Sequence, residues 1–538
     1  MALLKYVLLL SFSLSFTAGT AKAAENNSTI SPTSATTRQP QIERKVTEQF
    51  ISNIFHGRVS EFTVSSDSKH LTYLAWANGK PDFSSKEGDE FSGKVVVILD
   101  GMKSTNQHIW DSEIKSVSAL TLSPNGKRLA YIARDVKKGF SLFVDGSKKH
   151  YDRDESEVTE LQFTPDSKSF VYVESNVSAN DPFSYVVVDG KRLNPFPRIS
   201  NIKLSPNSNR IAYKVTTNRS SKQFAMIDNQ EGKHFDSIDF QHFTFSPDSR
   251  KLAYFAGNNK KAFVVVDKKE GKPYPGFAGD LIFSPDSQHL LYVAQFAQRQ
   301  WSVVIDEKEG KVYDAWAIRN PVFSPDSKHV AYVVASQPDG GGDYFVVLDG
   351  QEGKRYNAKN YNAKKIHLDY VVFSPDGNHI AYPVRLGGYG SDWIVVCDSK
   401  ESRRYQGVGL LAFSPDGSRL AYVAEKDFKS FVVVNEIEDE HFDNIKSLTF
   451  SPDGKFIVYA AYSKEINKWF IVVNGQKSQP YDFVMLQYAQ AGEGEEYTKG
   501  GSLAFDSPDK FHFLAVKNQQ IFLVEEDMTS MGNNNTVK

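Results

Sequence analysis

The chain has almost no cysteine: Cys397 is the single one among 538 residues. One cysteine cannot form an internal disulfide, and it cannot complete a zinc site built from four thiolates. A disulfide-stapled scaffold and a four-cysteine zinc site are therefore excluded. The fold must be stabilised by packing.

The chain also lacks an excess of either charge, since 63 Lys and Arg oppose 65 Asp and Glu for a formal net charge of −2. A general nucleic-acid binder presents a strongly positive field, so no nucleic-acid partner is expected, although a locally basic face is compatible with these totals. Hydrophobic residues make up 40% and aromatic residues 13%. This composition excludes a disordered or collagen-like chain.

Long apolar runs are missing as well. The longest follows Lys5, from Tyr6 to Phe16, and it is shorter than the roughly 20 residues that span a bilayer. Because the small residues of Ala21-Lys22-Ala23 follow, residues 1–23 are predicted to be a signal peptide cleaved between Ala23 and Ala24. An uncleaved anchor is the weaker alternative. The mature protein is expected to have no transmembrane segment and to be periplasmic or secreted. The near absence of cysteine favours a bacterial periplasm or exterior over a eukaryotic secretory pathway.

What the chain does contain is one repeated unit. Its clearest copies begin with Phe-Ser-Pro-Asp, as in 245–256 and 413–424. Eleven units can be aligned on the Asp or Asn of this turn: Asp67, Asn125, Asp166, Asn207, Asp248, Asp286, Asp326, Asp376, Asp416, Asp453 and Asp509. Their spacing of about 40 residues is typical of a solenoid or a propeller.

Each unit predicts four short antiparallel strands, which make one blade of an all-β propeller. Because propellers usually have about four to eight blades, eleven units favour two rings over one, with a candidate subdivision near 357–370. Residues 24–57 are expected to be a flexible tether and residues 58–526 the repeats, followed by a disordered tail at 527–538. The tether also contains a candidate closing strand, Gln41–Phe50, which could pair back onto the last blade and cover its edge.

The recurrent turn Asp is predicted to be structural, because Asp at this place in a Ser-Pro-Asp turn hydrogen-bonds the local backbone. The residues concerned are Asp166, Asp248, Asp286, Asp326, Asp376, Asp416 and Asp453. Four histidines share one position three residues later, where other units carry Arg or Lys: His70, His289, His329 and His379. A polar surface position explains this set better than metal ligation, so neither a metal nor a cofactor is expected.

The Ser-Pro-Asp-Gly turn followed by Leu-Ala-Tyr resembles the WD-like repeat of TolB-type periplasmic propellers, also found in prolyl oligopeptidases and dipeptidyl peptidases. The resemblance covers nearly all of 58–526 and implies a propeller. TolB-type proteins carry a separate N-terminal α/β domain, for which 24–57 is too short. The peptidases need a G-x-S-x-G nucleophile motif, which this sequence does not contain. The resemblance therefore implies the fold but neither activity.

No phosphate-binding loop, metalloprotease motif, EF-hand or dinucleotide fingerprint occurs. The loops between the second and third strands and those between blades should share one face. Their cations and aromatics form a candidate binding face: Arg134, Arg219, Lys261, Arg299, Trp316, Tyr361, Arg385, Tyr389 and Lys426. These residues suit an acidic protein or an anionic glycan, and an ordinary solvated surface is the alternative.

The function predicted from the sequence is an exported, non-enzymatic scaffold that binds a protein or an envelope polymer. The alternative is a propeller enzyme, a polysaccharide lyase or hydrolase, whose active site lies at the channel mouth. No catalytic residue can be assigned from the sequence. The oligomeric state is not predicted.

Overall fold

Runs of β-branched and aromatic residues, broken by Pro, Asp, Asn and Gly, form short strands throughout the repeats. The computed structural model describes residues 44–53, 59–77, 94–100, 102–103, 114–135, 139–151, 156–176, 183–217, 222–337, 342–357, 366–368, 370–387, 392–486 and 502–528. They belong to one compact unit, residues 42–538. The regular secondary structure of these ranges is all β. The predicted signal peptide and most of the predicted tether and tail lie outside them.

Strand β1 (Lys45–Asn53) precedes the repeats, and four blades follow it. Blade 1 contains β2 (Val59–Val64), β3 (Leu71–Ala77), β4 (Lys94–Leu99) and β5 (Met102–Lys103). Blade 2 contains β6 (Ile114–Leu122), β7 (Leu129–Asp135), β8 (Phe140–Val144) and β9 (Ser147–Tyr151). Blade 3 contains β10 (Ser156–Phe163), β11 (Phe170–Asn176), β12 (Phe183–Val188) and β13 (Lys191–Arg192). Blade 4 contains β14 (Arg198–Leu204), β15 (Ile211–Thr216), β16 (Gln223–Ile227) and β17 (Gln230–Glu231).

The next four blades continue the pattern. Blade 5 contains β18 (Ser237–Phe245), β19 (Leu252–Asn258), β20 (Lys261–Val266) and β21 (Lys269–Glu270). Blade 6 contains β22 (Gly276–Phe283), β23 (Leu290–Ala297), β24 (Gln300–Ile305), β25 (Lys308–Glu309) and β26 (Tyr313–Asp314). Blade 7 contains β27 (Ala317–Phe323), β28 (Val330–Ala335), β29 (Tyr344–Leu348) and β30 (Gln351–Glu352). Blade 8 contains β31 (Ile366–His367), β32 (Val372–Phe373), β33 (Ile380–Leu386), β34 (Trp393–Cys397) and β35 (Lys400–Glu401).

Three blades complete the set. Blade 9 contains β36 (Gly407–Phe413), β37 (Leu420–Lys426), β38 (Lys429–Val434) and β39 (Ile437–Glu438). Blade 10 contains β40 (Asn444–Phe450), β41 (Ile457–Ser463), β42 (Lys468–Val473) and β43 (Gln476–Lys477). Blade 11 contains β44 (Phe483–Met485), β45 (Ala504–Ser507), β46 (Lys510–Lys517) and β47 (Gln520–Asp527).

Each blade is an antiparallel sheet. Its first to fourth strands pair in chain order, apart from the added pairing of β26 with β24 in blade 6 and the use of β1 in blade 11. The first strands of neighbouring blades lie beside one another. The first strands therefore line the centre of the ring. The Ser-Pro-Asp turns join first to second strands, so they share one face with the hairpins between third and fourth strands. We call this the turn face. The opposite face, made by the connections between second and third strands and between blades, is called the loop face.

Among the residues that the structure describes, blade 11 has no fourth strand of its own, and β1 takes that place. The pairing is antiparallel and runs from Lys45 opposite Asp527 to Asn53 opposite Gln520. The predicted closing strand, Gln41–Phe50, is thus found at Lys45–Asn53. Arg44, just before β1, forms a buried ion pair with Glu526 and donates to the backbone oxygen of Gln476 in blade 10 at 2.6 Å.

The eleven blades form a single ring. One apolar cluster contains Ile471 of blade 10, Phe513 of blade 11, and Leu71 and Tyr73 of blade 1. The last blade therefore packs on the tenth and also on the first. The predicted preference for two rings is not confirmed, because the blade-to-blade packing returns to its start after eleven blades.

Candidate functional site

The turn Asp side chains form hydrogen bonds within their own turns. In blade 7, the Ser324 hydroxyl donates to Asp326 Oδ1 at 2.6 Å. The backbone N–H of Lys328 also donates to Asp326 Oδ1, and the backbone N–H of His329 donates to Ser324 Oγ. The hydrogen bond to Oδ1 from the hydroxyl two residues earlier recurs at Asp166, Asp248, Asp286, Asp376, Asp416 and Asp453. The pKa values of Asp166 and Asp416 are lowered to about 2, chiefly by these hydroxyl donors. The geometry is that of turn-forming residues.

The four repeated histidines each meet a carboxylate on the turn face. His289 Nδ1 lies 2.6 Å from Asp306 Oδ2, and His329 and His379 contact Asp349 and Asp398 in the same way. His70 pairs with Asp100. In blade 2 the same place is taken by Arg128 and Asp145. Among the residues that the structure describes, no three His, Cys, Asp or Glu are placed to hold a metal ion.

Neighbouring turns in blades 2–7 are linked by hydrogen bonds, and this part of the ring is called the serine-linked arc. The turn Asp or Asn of one blade donates its backbone N–H to the hydroxyl of the serine at the fourth turn position of the next. The serines are Ser167, Ser208, Ser249, Ser287 and Ser327, with distances of 2.9 to 3.0 Å. The serine-linked arc is thus held together on the turn face by its repeated residues.

Blades 8–10 carry glycine at this fourth position and are called the glycine-packed arc. Gly417 has φ +73°, and a Cβ there would lie 2.7 Å from Asp376 Oδ1 of the preceding turn. Gly377 stands in the same relation to Asp326. A side chain is excluded at these two positions, because the preceding turn packs directly on the glycine.

The loop face carries the described members of the predicted binding face. Arg299, in the hairpin between β23 and β24, donates to the Ser336 oxygen of blade 7 at 3.3 Å. Trp316, which follows in the connection to blade 7, is 52% exposed. The exposed Lys261 and Lys426 lie at the start of β20 and the end of β37.

Two predicted arginines of this face lie over aromatic rings. The Arg134 guanidinium is 5.5 Å from the centre of the Phe140 ring, and that of Arg385 is 5.7 Å from Trp393. Arg219, Tyr361 and Tyr389 lie outside the described residues. The structure places the described six on one face but spreads them over several blades, so they do not converge on one point.

Two apolar residues of the loop face were not predicted. Phe428, in the hairpin of blade 9, is 78% exposed, and Ile466, in the hairpin of blade 10, is 51% exposed. The same hairpin holds Asn259-Lys260 in blade 5. An apolar residue where other units have polar ones is the signal that could have identified this pair.

Inside the ring, the first strands carry a repeated β-bulge with a residue at positive φ, for example Glu160, Asn201, Leu410 and Ser447. In blade 4 the bulge amides bind a carboxylate. The backbone N–H groups of Asn201 and Ile202 donate to the two carboxylate oxygens of Glu160 from blade 3, both at 2.5 Å.

A charged cluster lies beside this contact. Lys214 of β15 is buried, and burial together with the Arg198 guanidinium lowers its pKa to about 8, against the opposing effect of Asp239 and Glu160. His242 Nδ1 lies 2.9 Å from Asp239 Oδ2.

This cluster was not predicted from the sequence, although one signal was visible. Lys214 directly follows the repeated tyrosine of the second strand, a place held by apolar residues in the other blades, for example Phe255, Val293 and Val333. A lysine in that position departs from the pattern of the repeat.

No protein-family model matches the chain, and no curated protein matches it. Among solved structures it is similar to a eukaryotic initiation factor (11% identity over 69% of this chain and 98% of that chain, TM-score 0.37). It is also similar to the β-propeller domain of the Trilobed protease from Pyrococcus furiosus, which has an open velcro topology (13% identity over 60% of this chain and 95% of that chain, TM-score 0.28). An oligogalacturonate lyase in complex with manganese matches at 10% identity over 55% of this chain and 98% of that chain, with a TM-score of 0.27. At such low similarity these matches assign no function, and a TolB-type family is not shown.

No described helix is long and apolar enough to cross a membrane.

Proposed function

We propose that this chain is an exported, non-enzymatic scaffold that binds a protein or an envelope polymer on its loop face. The observation that carries the proposal is the exposure of two aromatic rings on the loop face. On the turn face, repeated side chains such as Ser324, Asp326 and His329 are engaged in contacts of the turns and hairpins. On the loop face, Trp316 and Phe428 are exposed.

The chemistry of the loop face supports an acidic partner. The exposed Lys426 lies near an exposed aromatic ring in blade 9, two residues before Phe428, whereas Lys429 on the other side of Phe428 is paired with Asp443. Cations beside aromatics suit acidic protein surfaces and anionic polymers, and loops on a rigid scaffold commonly carry binding residues. The predicted signal peptide and the TolB-like repeat support a location in the periplasm or outside the cell.

The proposal is tested by crosslinking the mature chain, residues 24–538, in its native cell at low and high salt. A stoichiometric partner is expected whose yield falls with salt, because exposed charges are screened. The double variant R299E/K426E should lose most of the captured partner. The matched variant R250E/K168E changes the same charges at highly exposed sites of the turn face and should capture as much as the wild type. Equal loss in both variants would contradict a loop-face site.

A second candidate function is an enzyme, a polysaccharide lyase or hydrolase with its active site in the channel. The specific observation in its favour is the cluster of Lys214, Asp239 and His242, since lysines of lowered pKa serve as general bases. It predicts that the protein cleaves an acidic polysaccharide and that K214A and H242A each lower the rate at least about 100-fold. K203A, at an exposed lysine of β14, is the control and should retain the wild-type rate.

A further inference from the structure

The bulge of blade 10 repeats the geometry that binds a carboxylate in blade 4. In blade 4 the register of β14 against β15 shifts between Ser200 and Lys203, and Asn201 has φ +60°. In blade 10 the register of β40 against β41 shifts between Lys446 and Thr449, and Ser447 has φ +54°. The consecutive amides of Ser447 and Leu448 therefore correspond to those of Asn201 and Ile202, which point out of their own sheet toward the preceding blade.

The preceding blade does not offer blade 10 a carboxylate. Glu160 and Leu410 occupy the same repeat position, since each lies six residues before its turn Asp, Asp166 or Asp416. In blade 9 this position is thus held by a leucine, which has no hydrogen-bond acceptor in its side chain. Leu410 is 44% exposed, so solvent reaches this part of the inner wall.

The charge next to the bulge also favours an anion. Lys446 directly precedes Ser447 and is exposed, whereas blade 4 has the neutral Ser200 at this place. Two consecutive amides with a residue at positive φ form a concave anion-binding surface, and an ammonium group beside it adds attraction.

We infer that the amides of Ser447 and Leu448, with Lys446, bind a carboxylate of an acidic peptide segment that enters the ring. This inference rests on the proposed function and names the chemistry of its partner. A peptide is favoured because the occupant of the corresponding bulge is itself a glutamate side chain. Leu410 beside the amides suits an apolar side chain of the peptide, whereas the hydroxyls of a uronate sugar would lose hydrogen bonds against it.

The test measures fluorescence anisotropy of a labelled random glutamate–tyrosine copolymer with the full chain at low salt. The wild type should bind it. Leu410→Glu should weaken binding at least tenfold, because the new carboxylate would occupy the amides as Glu160 does in blade 4. Leu410→Met keeps an apolar side chain of similar size and should remain within twofold. Ile437→Glu makes the same charge change on the outer strand of the same blade, at a 74% exposed residue, and should also remain within twofold.

The outcomes separate the inference from the proposed function. Wild-type affinity in Leu410→Glu, an equal loss in Ile437→Glu, or no copolymer binding by the wild type overturns the inference. Binding of polygalacturonate in place of the copolymer, sensitive to Leu410→Glu, overturns the assignment to a peptide. In each of these cases the loop-face site is judged separately, by the R299E/K426E capture experiment, which does not involve the bulge.

Discussion

The serine-linked and glycine-packed arcs join neighbouring turns by different contacts. Each must hold the turn of one blade against the turn of the next. Blades 2–7 do so with a hydrogen bond, such as the Asp248 N–H to Ser287 Oγ at 3.0 Å. Blades 8 and 9 do so by contact, with the turn Asp of the preceding blade packed directly on the glycine, as Asp376 is on Gly417. The ring can therefore join neighbouring turns through a hydrogen bond to a serine at the fourth turn position. It can also join them through a close contact that requires glycine at that position.

The largest expected effect comes from opening the ring, because both arcs depend on its closure. R44A removes the partner of the buried Glu526, whose pKa is raised by burial against the opposing effect of Arg44. Leaving a buried charge unpaired should lower the free energy of unfolding by about 3–5 kcal/mol, measured by urea denaturation.

The control for R44A is K517A, which breaks the ion pair with Glu48 on the same closing strand. Both partners are partly exposed, so the expected loss is about 0–1 kcal/mol. If R44A costs no more than K517A, the closing strand does not hold the ring.

The next effect breaks the glycine-packed arc. G417A places a Cβ 2.7 Å from Asp376 Oδ1 at φ +73° and should cost about 2–4 kcal/mol in the free energy of unfolding, from backbone strain and steric overlap together. The matched change in the other arc is S287G, where losing one hydrogen bond is partly offset by relief at φ +64°. A cost of G417A no larger than that of S287G would show that the two arcs are not distinct.

A smaller effect is expected from removing one link of the serine-linked arc. S287A deletes the acceptor of the Asp248 N–H but keeps the Cβ, so it should cost about 1 kcal/mol. The same denaturation measurement reports it. A neutral result would mean that water replaces the serine hydroxyl without loss.

Acid sensitivity should depend on the turn Asp residues, which occur in both arcs and are replaced by Asn in blades 2 and 4. The folded pKa of Asp416 is about 2, below the value of about 3.9 for an unfolded chain, so its stabilisation is present above pH 4 and is lost as the pH falls toward 2. Blades 2 and 4 carry Asn125 and Asn207 instead, which accept the same serine hydroxyl. D416N should therefore fold normally at pH 7 and lose less stability than the wild type between pH 4 and 2.5, followed by thermal unfolding. An unchanged acid profile would exclude Asp416 as a contributor.

Most of the fold could be predicted from the sequence, because the residues that form each blade lie close together in the chain. The turn residues, the alternating strands and the candidate closing strand all lie within single units or beside them. The number of rings could not be predicted, because closure depends on one apolar cluster that includes Phe513 of the last blade and Tyr73 of the first, and no single repeat contains that cluster.

The candidate sites were readable only in part. The repeat places Arg299 and Lys426 on one face, which follows from the strand order alone. The bulge at Ser447 and the burial of Lys214 depend on where a strand shifts register and which side chains face the next blade. Lys214 was still detectable as a charged residue at an apolar repeat position, whereas the bulge has no such marker.

Site-specific photo-crosslinking in the native cell tests whether the loop face is the binding face. A photoreactive phenylalanine analogue would replace Phe428 on the loop face or, in a separate variant, Lys168 on the turn face, both highly exposed. A binding site on the loop face predicts one defined adduct from position 428 and none from position 168. Adducts of equal yield from both positions, or an adduct from position 168 alone, would contradict it.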